Sequence, residues 1–334
     1  MHSLLDQHPR ASLGFFPTPL MNLQRLSQHL GGPRILMKRD DQSGLALGGN
    51  KTRKLEYLVG AAIAAGCDTL ITGGATQSNH CRQTAAAAAA SGLECHLVLG
   101  GEAPPTAQGN LLLDQLLGAH IHWSGEWRKG EQMPQIADRL RAKGRNPYFI
   151  PYGGSSATGA LGYVHAAAEL KTQLDNLDQR ISHMLFASSS GGTQAGLIVG
   201  AHQAGLNCQV IGIRIDKEED ADTPYAERLR TLTNETAALF GIDQRFDADA
   251  ITLQERFTGQ GYGVVGDTER NAIGLLARTE GILLDPVYTG RAMGGLLRLI
   301  DEGVFGPDDT LLFWHTGGAP TLFPYADALL DKPH

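Results

Sequence analysis

The chain alternates between short apolar runs and longer segments with helical spacing. Runs of three to five residues predict buried strands at Ile35–Met37, Thr69–Thr72, Cys95–Leu99, Ile121–Trp123, Tyr148–Ile150, Met184–Ala187, Val210–Arg214 and Leu311–Trp314. Apolar positions three and four residues apart predict helices between them, at Arg53–Ala65, Asn79–Ala90, Gln108–Leu117, Gln132–Ala142, Gly159–Gln173, Thr193–Ala204, Ala226–Leu239, Thr268–Thr279 and Arg291–Ile300. This order predicts an α/β fold, in which helices cover parallel sheets.

Two glycine-rich segments, Gly44–Asn50 and Tyr152–Gly162, flank about four of these strand–helix units. A chain of 334 residues exceeds the usual size of a single core, so two lobes are expected. We predict a smaller α/β domain, residues 52–160, inserted into a larger domain made of residues 1–51 and 161–334. Ligands of such sheets bind beyond the carboxyl ends of the strands, so the loops that follow the strands are the candidate site.

Composition excludes several classes of partner. Hydrophobic residues make up 42% and charged residues 19%, as in ordinary globular proteins. The net charge of −7 gives no electrostatic footprint for nucleic acid, and no apolar run reaches the length of a membrane span. The first residues lack a secretory pattern, and the four cysteines show no zinc spacing (Cys67, Cys81, Cys95, Cys208). We expect a cytoplasmic protein with free thiols.

The loop Ser188–Gly196 follows one predicted strand and opens a predicted helix. Its glycines let backbone N–H groups approach an anion, and the helix terminus adds partial positive charge. The hydroxyls of Ser190 and Thr193 are further donors, so the loop suits a phosphate group. A helix cap within a small turn is the alternative, and the loop alone does not decide between the two.

A second loop, Gly73–His80, has the same strand–glycine–helix form. Gln77, Ser78 and Asn79 place polar side chains at a helix start, which suits a smaller anion such as a carboxylate. Ser78 is also a candidate nucleophile or proton carrier. The alternative, favoured by this loop alone, is that Ser78 or Asn79 simply caps the helix.

Lys51 lies in the segment GGNKTRK, at the start of a predicted helix. A basic residue there opposes the helix dipole, which indicates a reason beyond folding. A lysine held near an active-site anion is a candidate for forming a Schiff base. The alternative is a solvated basic cluster, in which Lys51, Arg53 and Lys54 pair with Glu56 or with the acidic pair at positions 40–41.

Other patterns are weaker. Gly44–Thr52 nearly spells a phosphate-binding P-loop, but Asn50 interrupts it, and the GxGxxG at residues 261–266 follows no convincing strand. The 12 histidines form no HExxH or similar metal-ligand arrangement, so we expect no metal and mostly surface or structural histidines. Tyr262 and Tyr288 lie in glycine-rich surroundings, where a tyrosine is either a hydrogen-bonding acid or a packing anchor.

Taken together and in this order, the motifs resemble one family. The chain resembles fold-type II pyridoxal-phosphate enzymes of the aminocyclopropane-carboxylate deaminase and D-cysteine desulfhydrase group. The matching segments cover nearly the whole chain and are PTPL (17–20), KRDD (38–41), GGNKTRKLEYL (48–58), QSNHCRQTA (77–85), GGSSATGALGY (153–163), SSSGGTQAGL (188–197), GYG (261–263), LLDPVYTGRAMGGL (283–296) and HTGGAPTLF (315–323).

The resemblance implies pyridoxal 5'-phosphate as cofactor, a tryptophan synthase β-like fold and a homodimer. It implies that Lys51 holds the cofactor as an imine and that Asn79 binds its ring hydroxyl. Position 289 and Thr316 would lie near the pyridine nitrogen. The phosphate would be cradled by Ser190, Gly191, Gly192 and Thr193. The substrate would contact Gln77, Ser78, Asn79, Tyr262 and Tyr288, with Lys51, Ser78, Tyr262 and Tyr288 as catalytic residues.

One position separates activities within the group. In deaminases that open the cyclopropane ring, a glutamate follows the tyrosine of the DPVY motif, whereas Thr289 stands here. A hydroxyl near the pyridine nitrogen favours its protonation less than a carboxylate does, so α,β-elimination is expected. D-Cysteine, giving pyruvate, sulfide and ammonia, is the predicted substrate. Sulfite release from L-cysteate and ring opening of 1-aminocyclopropane-1-carboxylate are the alternatives, together with a non-enzymatic metabolite-binding protein.

Overall fold

The computed structural model describes residues 2–217 and 222–330, and its strands form two separate sheets. The larger sheet has six strands in the order β1-β2-β10-β7-β8-β9. Its strands are β1 (Leu20–Asn22), β2 (Arg34–Arg39), β7 (His183–Ser188), β8 (Gln209–Arg214), β9 (Thr252–Gln254) and β10 (Thr310–His315). All pairs are parallel except β1 with β2.

The smaller sheet has four parallel strands in the order β5-β4-β3-β6. They are β3 (Thr69–Gly74), β4 (Glu94–Leu99), β5 (His120–Trp123) and β6 (Pro147–Phe149). Every one of them lies within the segment 52–160 that the sequence assigns to the inserted domain. The boundaries of that domain stay a prediction.

Helices cover both sheets, as the α/β prediction requires. They are α1 (His2–Leu5), α2 (Gln24–Leu30), α3 (Lys51–Ala64), α4 (Asn79–Ser91), α5 (Gly109–Leu116), α6 (Met133–Ala142), α7 (Ala157–Asn176), α8 (Gly192–Ala204), α9 (Tyr225–Phe240), α10 (Asp267–Glu280), α11 (Thr289–Asp301) and α12 (Ala326–Leu330). None of the helices within the described ranges is both long and apolar enough to cross a membrane. The predicted fold class is confirmed.

Successive residues of the large-sheet strands pack on opposite faces. On β10, Leu312 and Trp314 join the core under α7, α8 and α9, whereas Leu311 and Phe313 join the core under α2, α10 and α11. The middle residues of the central strands are therefore apolar at successive positions rather than at every second one, which is typical of a sheet buried on both faces. This explains why continuous apolar runs located them in the sequence.

A buried ionic network fixes the start of α3. The guanidinium of Arg53 donates to Asp40 at 2.8 and 2.9 Å and to both carboxylate oxygens of Glu169, on α7, at 2.9 Å. Arg53 and Lys54 are almost completely buried. The alternative of a solvated basic cluster is therefore wrong for Arg53 and Lys54, because burial requires such groups to have fixed hydrogen-bond partners. The pairing with Asp40 that it foresaw is present.

Candidate active site

A cavity opens at the carboxyl ends of β3, β7 and β10, where the sequence places the site. The strands end at Gly74, Ser188 and His315, and the loops that follow supply most of the walls. The lining residues are Asn50, Lys51, Ser78, Asn79, His80, Tyr152, Gly153, Ala187, Ser188, Ser189, Ser190, Gly191, Thr193, Gln194, Tyr288, Thr316 and Gly317. Loops from both sheets meet there, since β3 belongs to the small sheet and the other two strands to the large one.

Lys51 is the first residue of α3, and backbone contacts hold it in place. The N–H of Asn50 donates to the carbonyl of Thr316 at 2.9 Å, and the Asn50 side chain donates to the hydroxyl of Thr193 at 3.1 Å. Burial lowers the pKa of Lys51 to about 8, while a hydrogen bond with Lys54 acts in the opposite direction. A substantial neutral fraction near pH 7 to 8 makes this amine a nucleophile, as a Schiff-base lysine must be.

Lys54 is a site residue that the sequence analysis missed. Its ammonium donates to the carbonyl of Gly153 and to Ser155 Oγ, both at 3.1 Å. Ser155 Oγ in turn donates to Ser190 Oγ at 2.8 Å and accepts from the N–H of Gly192 at 3.1 Å. Lys54 thus sits behind the predicted phosphate loop. The signal in the sequence was its spacing, one helical turn after Lys51 on the same helix face.

The loop before α8 has the geometry of an anion site. Gly191 has a φ of 89°, a conformation that suits glycine, and it precedes the first helical residue without a side chain that caps the helix. Gly191 is itself the cap residue of α8, so the alternative of a helix cap within a small turn is present, and it does not exclude an anion. A Cβ at Gly153 would lie 2.3 Å from Ser190 Oγ, so backbone and hydroxyl approach closely across the cavity. The helix terminus, the Ser190 and Thr193 hydroxyls and nearby Lys54 favour a phosphate.

Ser78 performs the capping role that the sequence analysis held as the alternative. Its Oγ accepts from the N–H of Cys81 at 3.2 Å, and α4 begins at Asn79. Ser78 and Asn79 line the cavity as well, so the cap and a ligand contact are compatible. Asn79 is oriented by Asn110, whose amide donates to its Oδ1 at 2.9 Å.

Gln77, by contrast, lies outside the set of described residues that line the cavity. Its side-chain amide donates to the carbonyl of Gln108 at 3.0 Å, and its Oε1 accepts from the N–H of Asn110 at 2.9 Å. Both ends of the amide are therefore engaged at the start of α5. This geometry gives no support to the predicted contact between Gln77 and a substrate carboxylate.

His80 is a second residue that the sequence analysis did not single out. Its Nε2 lies 2.9 Å from the hydroxyl of Thr72, while its buried Nδ1 has no hydrogen-bond partner. Burial, together with the charges of Lys51 and Lys54, lowers the pKa of His80 well below the ordinary value, so the imidazole is neutral. An unpaired buried nitrogen in the wall of a cavity indicates a missing partner.

Tyr262 and Tyr288 form a pair. Their hydroxyl oxygens are 2.6 Å apart. Tyr288 lines the cavity, and Tyr262 contacts Tyr288 without lining the cavity itself. The guanidinium of Arg128 lies over the Tyr262 ring, 4.7 Å from its centroid. Burial raises the pKa of both phenols well above the ordinary value, so each is protonated and Tyr288 has a proton to donate.

Thr289 is fully buried and is not among the described residues that line the cavity. Its hydroxyl donates to Asp285 Oδ1 at 2.7 Å and accepts from the N–H of Asp285 at 2.8 Å. The same carboxylate accepts from the N–H groups of Val287, Tyr288 and Thr289 at 2.7 to 3.0 Å, so it fixes the turn that begins α11. The predicted contact of Thr289 with a cofactor has no support here, whereas Thr316 does line the cavity.

Known proteins that are similar to this chain agree with this geometry. The profile of the family described as "Pyridoxal-phosphate dependent enzyme" matches residues 11–317. The chain belongs to this family. The resemblance stated from the motifs, the pyridoxal phosphate cofactor and the enzymatic nature of the protein are thereby confirmed.

Relatives within the family are similar over nearly their whole length. A D-cysteine desulfhydrase of Klebsiella pneumoniae (strain 342) is 43% identical over 327 residues, which cover 96% of this chain and 97% of the relative. One of Yersinia enterocolitica (serotype O:8 / biotype 1B) is 44% identical over 329 residues, with the same coverage. A crystal structure of an ACC deaminase homologue superimposes with a TM-score of 0.90 at 37% identity, over 98% of this chain and 97% of its own.

The cavity fits pyridoxal phosphate. The helix terminus at Gly192, with Lys54 behind it, is suited to the phosphate, and the partly neutral Lys51 amine to the aldehyde. The same wall contains the buried Nδ1 of His80, which has no hydrogen-bond partner and so indicates that a partner is missing there. Gly192 itself is not part of the lining, but a Cβ there would lie 2.8 Å from Ser155 Oγ and 3.0 Å from Lys54 Nζ, so a side chain would displace both.

Proposed function

We propose that the protein is a carbon–sulfur lyase that converts D-cysteine and water to pyruvate, sulfide and ammonia. The observation that carries the proposal is a cavity with a partly neutral lysine, a phosphate-type loop and a protonated tyrosine pair. Relatives at 43–44% identity over almost the full chain carry the name D-cysteine desulfhydrase. Pyridoxal phosphate, when bound, supplies the electron sink for the electron pair that the substrate Cα–H bond leaves behind when the α-proton is removed.

The chain's own residues then divide the work. Lys51 would hold the cofactor until the amino group of the substrate takes its place, and its freed neutral amine would then accept the α-proton of the substrate. Ser78 and Asn79, at the start of α4, bind the substrate carboxylate through the helix terminus and their side chains. Tyr288, kept protonated and oriented by Tyr262, donates a proton to the departing sulfur. Thr289 has no part in this proposal, because Asp285 holds its hydroxyl.

The products distinguish this reaction from its rivals. We expect pyruvate and sulfide in equal amounts from D-cysteine, with a kcat/KM at least tenfold above that for L-cysteine, L-cysteate or 1-aminocyclopropane-1-carboxylate. Sulfite from L-cysteate as the main activity would make the protein a sulfo-lyase. 2-Oxobutyrate from the cyclopropane substrate as the main activity would make it a deaminase, the alternative that the structural similarity to an ACC deaminase homologue favours.

Tyr288→Phe is the variant that tests the assigned acid. It should lower kcat with D-cysteine by about 10²-fold, since a positioned acid contributes on the order of 10²–10⁴. The KM should change only a few-fold, and the cofactor content should stay as in the wild type. A wild-type kcat in this variant would remove Tyr288 from the mechanism.

The homodimer, which the family resemblance implies, and the cytoplasmic location, which the cysteine pattern and the N-terminal sequence predict, remain part of this proposal. All four cysteines are free, which is compatible with a reducing compartment. A light-scattering mass of the purified protein, compared with the chain mass of 35.7 kDa, tests the dimer.

A further inference from the structure

A cluster of histidines lies on one face of the small sheet, outside the cavity described above. His96 on β4 is paired in register with His120 on the edge strand β5, and Glu94 precedes His96 by two residues. Residues two apart in a strand share a face, so all three side chains converge. Oε1 of Glu94 is 2.8 Å from His96 Nε2 and 3.5 Å from His120 Nε2, and one ligand atom from each residue lies within 4.8 Å of the others.

A third histidine orients the first. His96 Nδ1 is 2.8 Å from His122 Nε2, so both ring nitrogens of His96 are fixed, one toward Glu94 and one toward His122. The rings of His120 and His122 stack on His96 with centroid distances of 4.7 and 5.2 Å. A second ring nitrogen held by a neighbour is the usual support of a metal-binding histidine.

The cluster is separate from the active site. Glu94 and His120 are the first residues of β4 and β5, whereas the cavity lies beyond the carboxyl ends of the strands. Because the sheet is parallel, the cluster lies at the amino ends of its strands and the cavity lies at their carboxyl ends. Local spacing in the sequence did not show the cluster, since it depends on the register between two strands.

We propose that Glu94, His96 and His120 bind a divalent transition metal, with Zn²⁺ as the best-fitting ion. Two imidazole nitrogens, one carboxylate oxygen and a water complete the four ligands that zinc prefers. Tetrahedral bonds of about 2.0–2.1 Å place ligand atoms about 3.4 Å apart. In the structure the ligand atoms lie up to 4.8 Å apart. The His120 side chain is 59% exposed, so it is free to move and shorten these distances.

Arg145 competes with the metal. Its guanidinium forms an ion pair with Glu94 and reaches Asp68 at 3.5 Å, so it occupies the second carboxylate oxygen of Glu94. A bound dication would be repelled by this guanidinium, which has Asp68 as its other partner. Removing the positive charge at position 145 should therefore strengthen metal binding rather than weaken it.

The test is zinc binding to the purified holoenzyme, measured by equilibrium dialysis and calorimetry. We expect one Zn²⁺ per chain with a Kd in the micromolar range or below. His96→Gln and His120→Gln should each weaken it at least tenfold, and Arg145→Gln should strengthen it several-fold. His29→Gln, which alters an exposed histidine on α2, is the matched control and should bind as the wild type does.

A second readout separates this site from thiols and from misfolding. Cu²⁺ in the same site should show nitrogen hyperfine splitting from two imidazoles and no thiolate charge-transfer band. The visible absorbance of the bound cofactor reports that each variant is folded. The proposal is overturned if folded His96→Gln and His120→Gln variants bind zinc as the wild type does, or if the wild type binds none at 1 mM. The cluster would then be only a hydrogen-bonded group of side chains across β4 and β5.

Discussion

Lys51 and Lys54 bring two amines side by side on α3, in surroundings that desolvate both. Burial, and then the charge of the neighbouring Lys51, lowers the pKa of Lys54 well below its ordinary value. Keeping two ammonium groups there is costly in the cofactor-free protein, because burial without an anionic partner disfavours the charged form. A phosphate beside Lys54 removes part of this cost, so the cofactor and the pair of lysines stabilise one another.

The cofactor-free protein should therefore become more stable as the pH rises. The folded-state pKa of Lys51 is about 8, below its value of about 10.4 in an unfolded chain, so the unfolded state binds more protons between these limits. Lys51→Met should be more stable than the wild type at pH 7, by about 1–3 kcal/mol. The difference should shrink between pH 8 and pH 10.5. Urea unfolding of both proteins without cofactor measures it.

Lys171→Met is the control, because Lys171 forms an exposed pair with Asp175 one turn along α7. Its effect on the free energy of unfolding should be small and should not follow the same titration. A difference between wild type and Lys51→Met that does not change from pH 7 to pH 10.5 would contradict the buried-charge explanation.

The sequence located many of the residues that line the cavity. Eight of the named residues line the cavity: Lys51, Ser78, Asn79, Ser190, Gly191, Thr193, Tyr288 and Thr316. Gly192 and Tyr262 lie outside the lining. Gln77 and Thr289 also lie outside it, because Asn110 and Asp285 engage their side chains. A motif indicates which residues are near a site, but the rotamer depends on partners that the motif does not include.

Among the secondary-structure elements, the helix N-termini decide the chemistry. α4 and α8 both begin at the cavity, at Asn79 and Gly192, and both offer backbone N–H groups to an anion. α3 also begins there, yet it presents the Lys51 amine, which the helix dipole disfavours as a cation. The starts of α4 and α8 thus suit two anions, a substrate carboxylate and a phosphate. The start of α3 carries the amine of Lys51.

Ser78 should show two separable effects, one on stability and one on activity. Ser78→Ala removes the cap of α4, which costs about 1 kcal/mol of unfolding free energy. Ser156→Ala removes the matching cap of α7, where Ser156 Oγ accepts from the N–H of Gly159. Both variants should lose similar stability in urea unfolding, but only Ser78→Ala should also lose activity, at least tenfold in kcat/KM for D-cysteine.

Equal activity losses in the two variants would mean that Ser78 acts only as a cap. The assignment of the substrate carboxylate to the start of α4 would then lose its main side chain.

The sequence predicted the long elements well and the short ones poorly. All eight predicted strands and all nine predicted helices overlap elements of the structure. The strands β1 and β9 were missed because each has three residues at an edge of the sheet and none of them is fully buried. The helix α2 was missed because only Leu26 on it is buried, so its apolar periodicity is weak.

In the molecule as a whole, one buried carboxylate ties the elements around Lys51 together. Asp40 accepts hydrogen bonds from Thr18, Arg53, Tyr163 and Trp314 at 2.7 to 2.9 Å. These residues come from the N-terminal segment, α3, α7 and β10. Burial alone would raise the pKa of Asp40, but the contacts with Arg53 outweigh it and hold the pKa below the ordinary value.

Asp40→Asn should destabilise the protein by about 3 kcal/mol at pH 7, because it leaves Arg53 buried without one of its two anionic partners. A carboxylate with a lowered pKa stabilises the fold above its unfolded value of about 3.9 and loses that contribution as the pH falls through the folded value. The gap between wild type and variant should thus narrow below about pH 4. Urea unfolding at pH 7 and at lower pH measures both.

Asp138→Asn is the control, since Asp138 on α6 pairs with Arg141 and the two side chains are 74% and 52% exposed. It should cost less than about 1 kcal/mol. If Asp40→Asn were no more destabilising than Asp138→Asn, the network would not be what positions α3.

The most direct test of the whole account is to find which lysine carries the cofactor. Borohydride reduction of the yellow holoenzyme, followed by peptide mapping, should place the cofactor on Lys51 alone, and Lys51→Ala should yield no labelled peptide. Lys54 is the informative alternative, because its amine lies beside that of Lys51. A label on Lys54 or on any other lysine of the wild type would contradict the site described here.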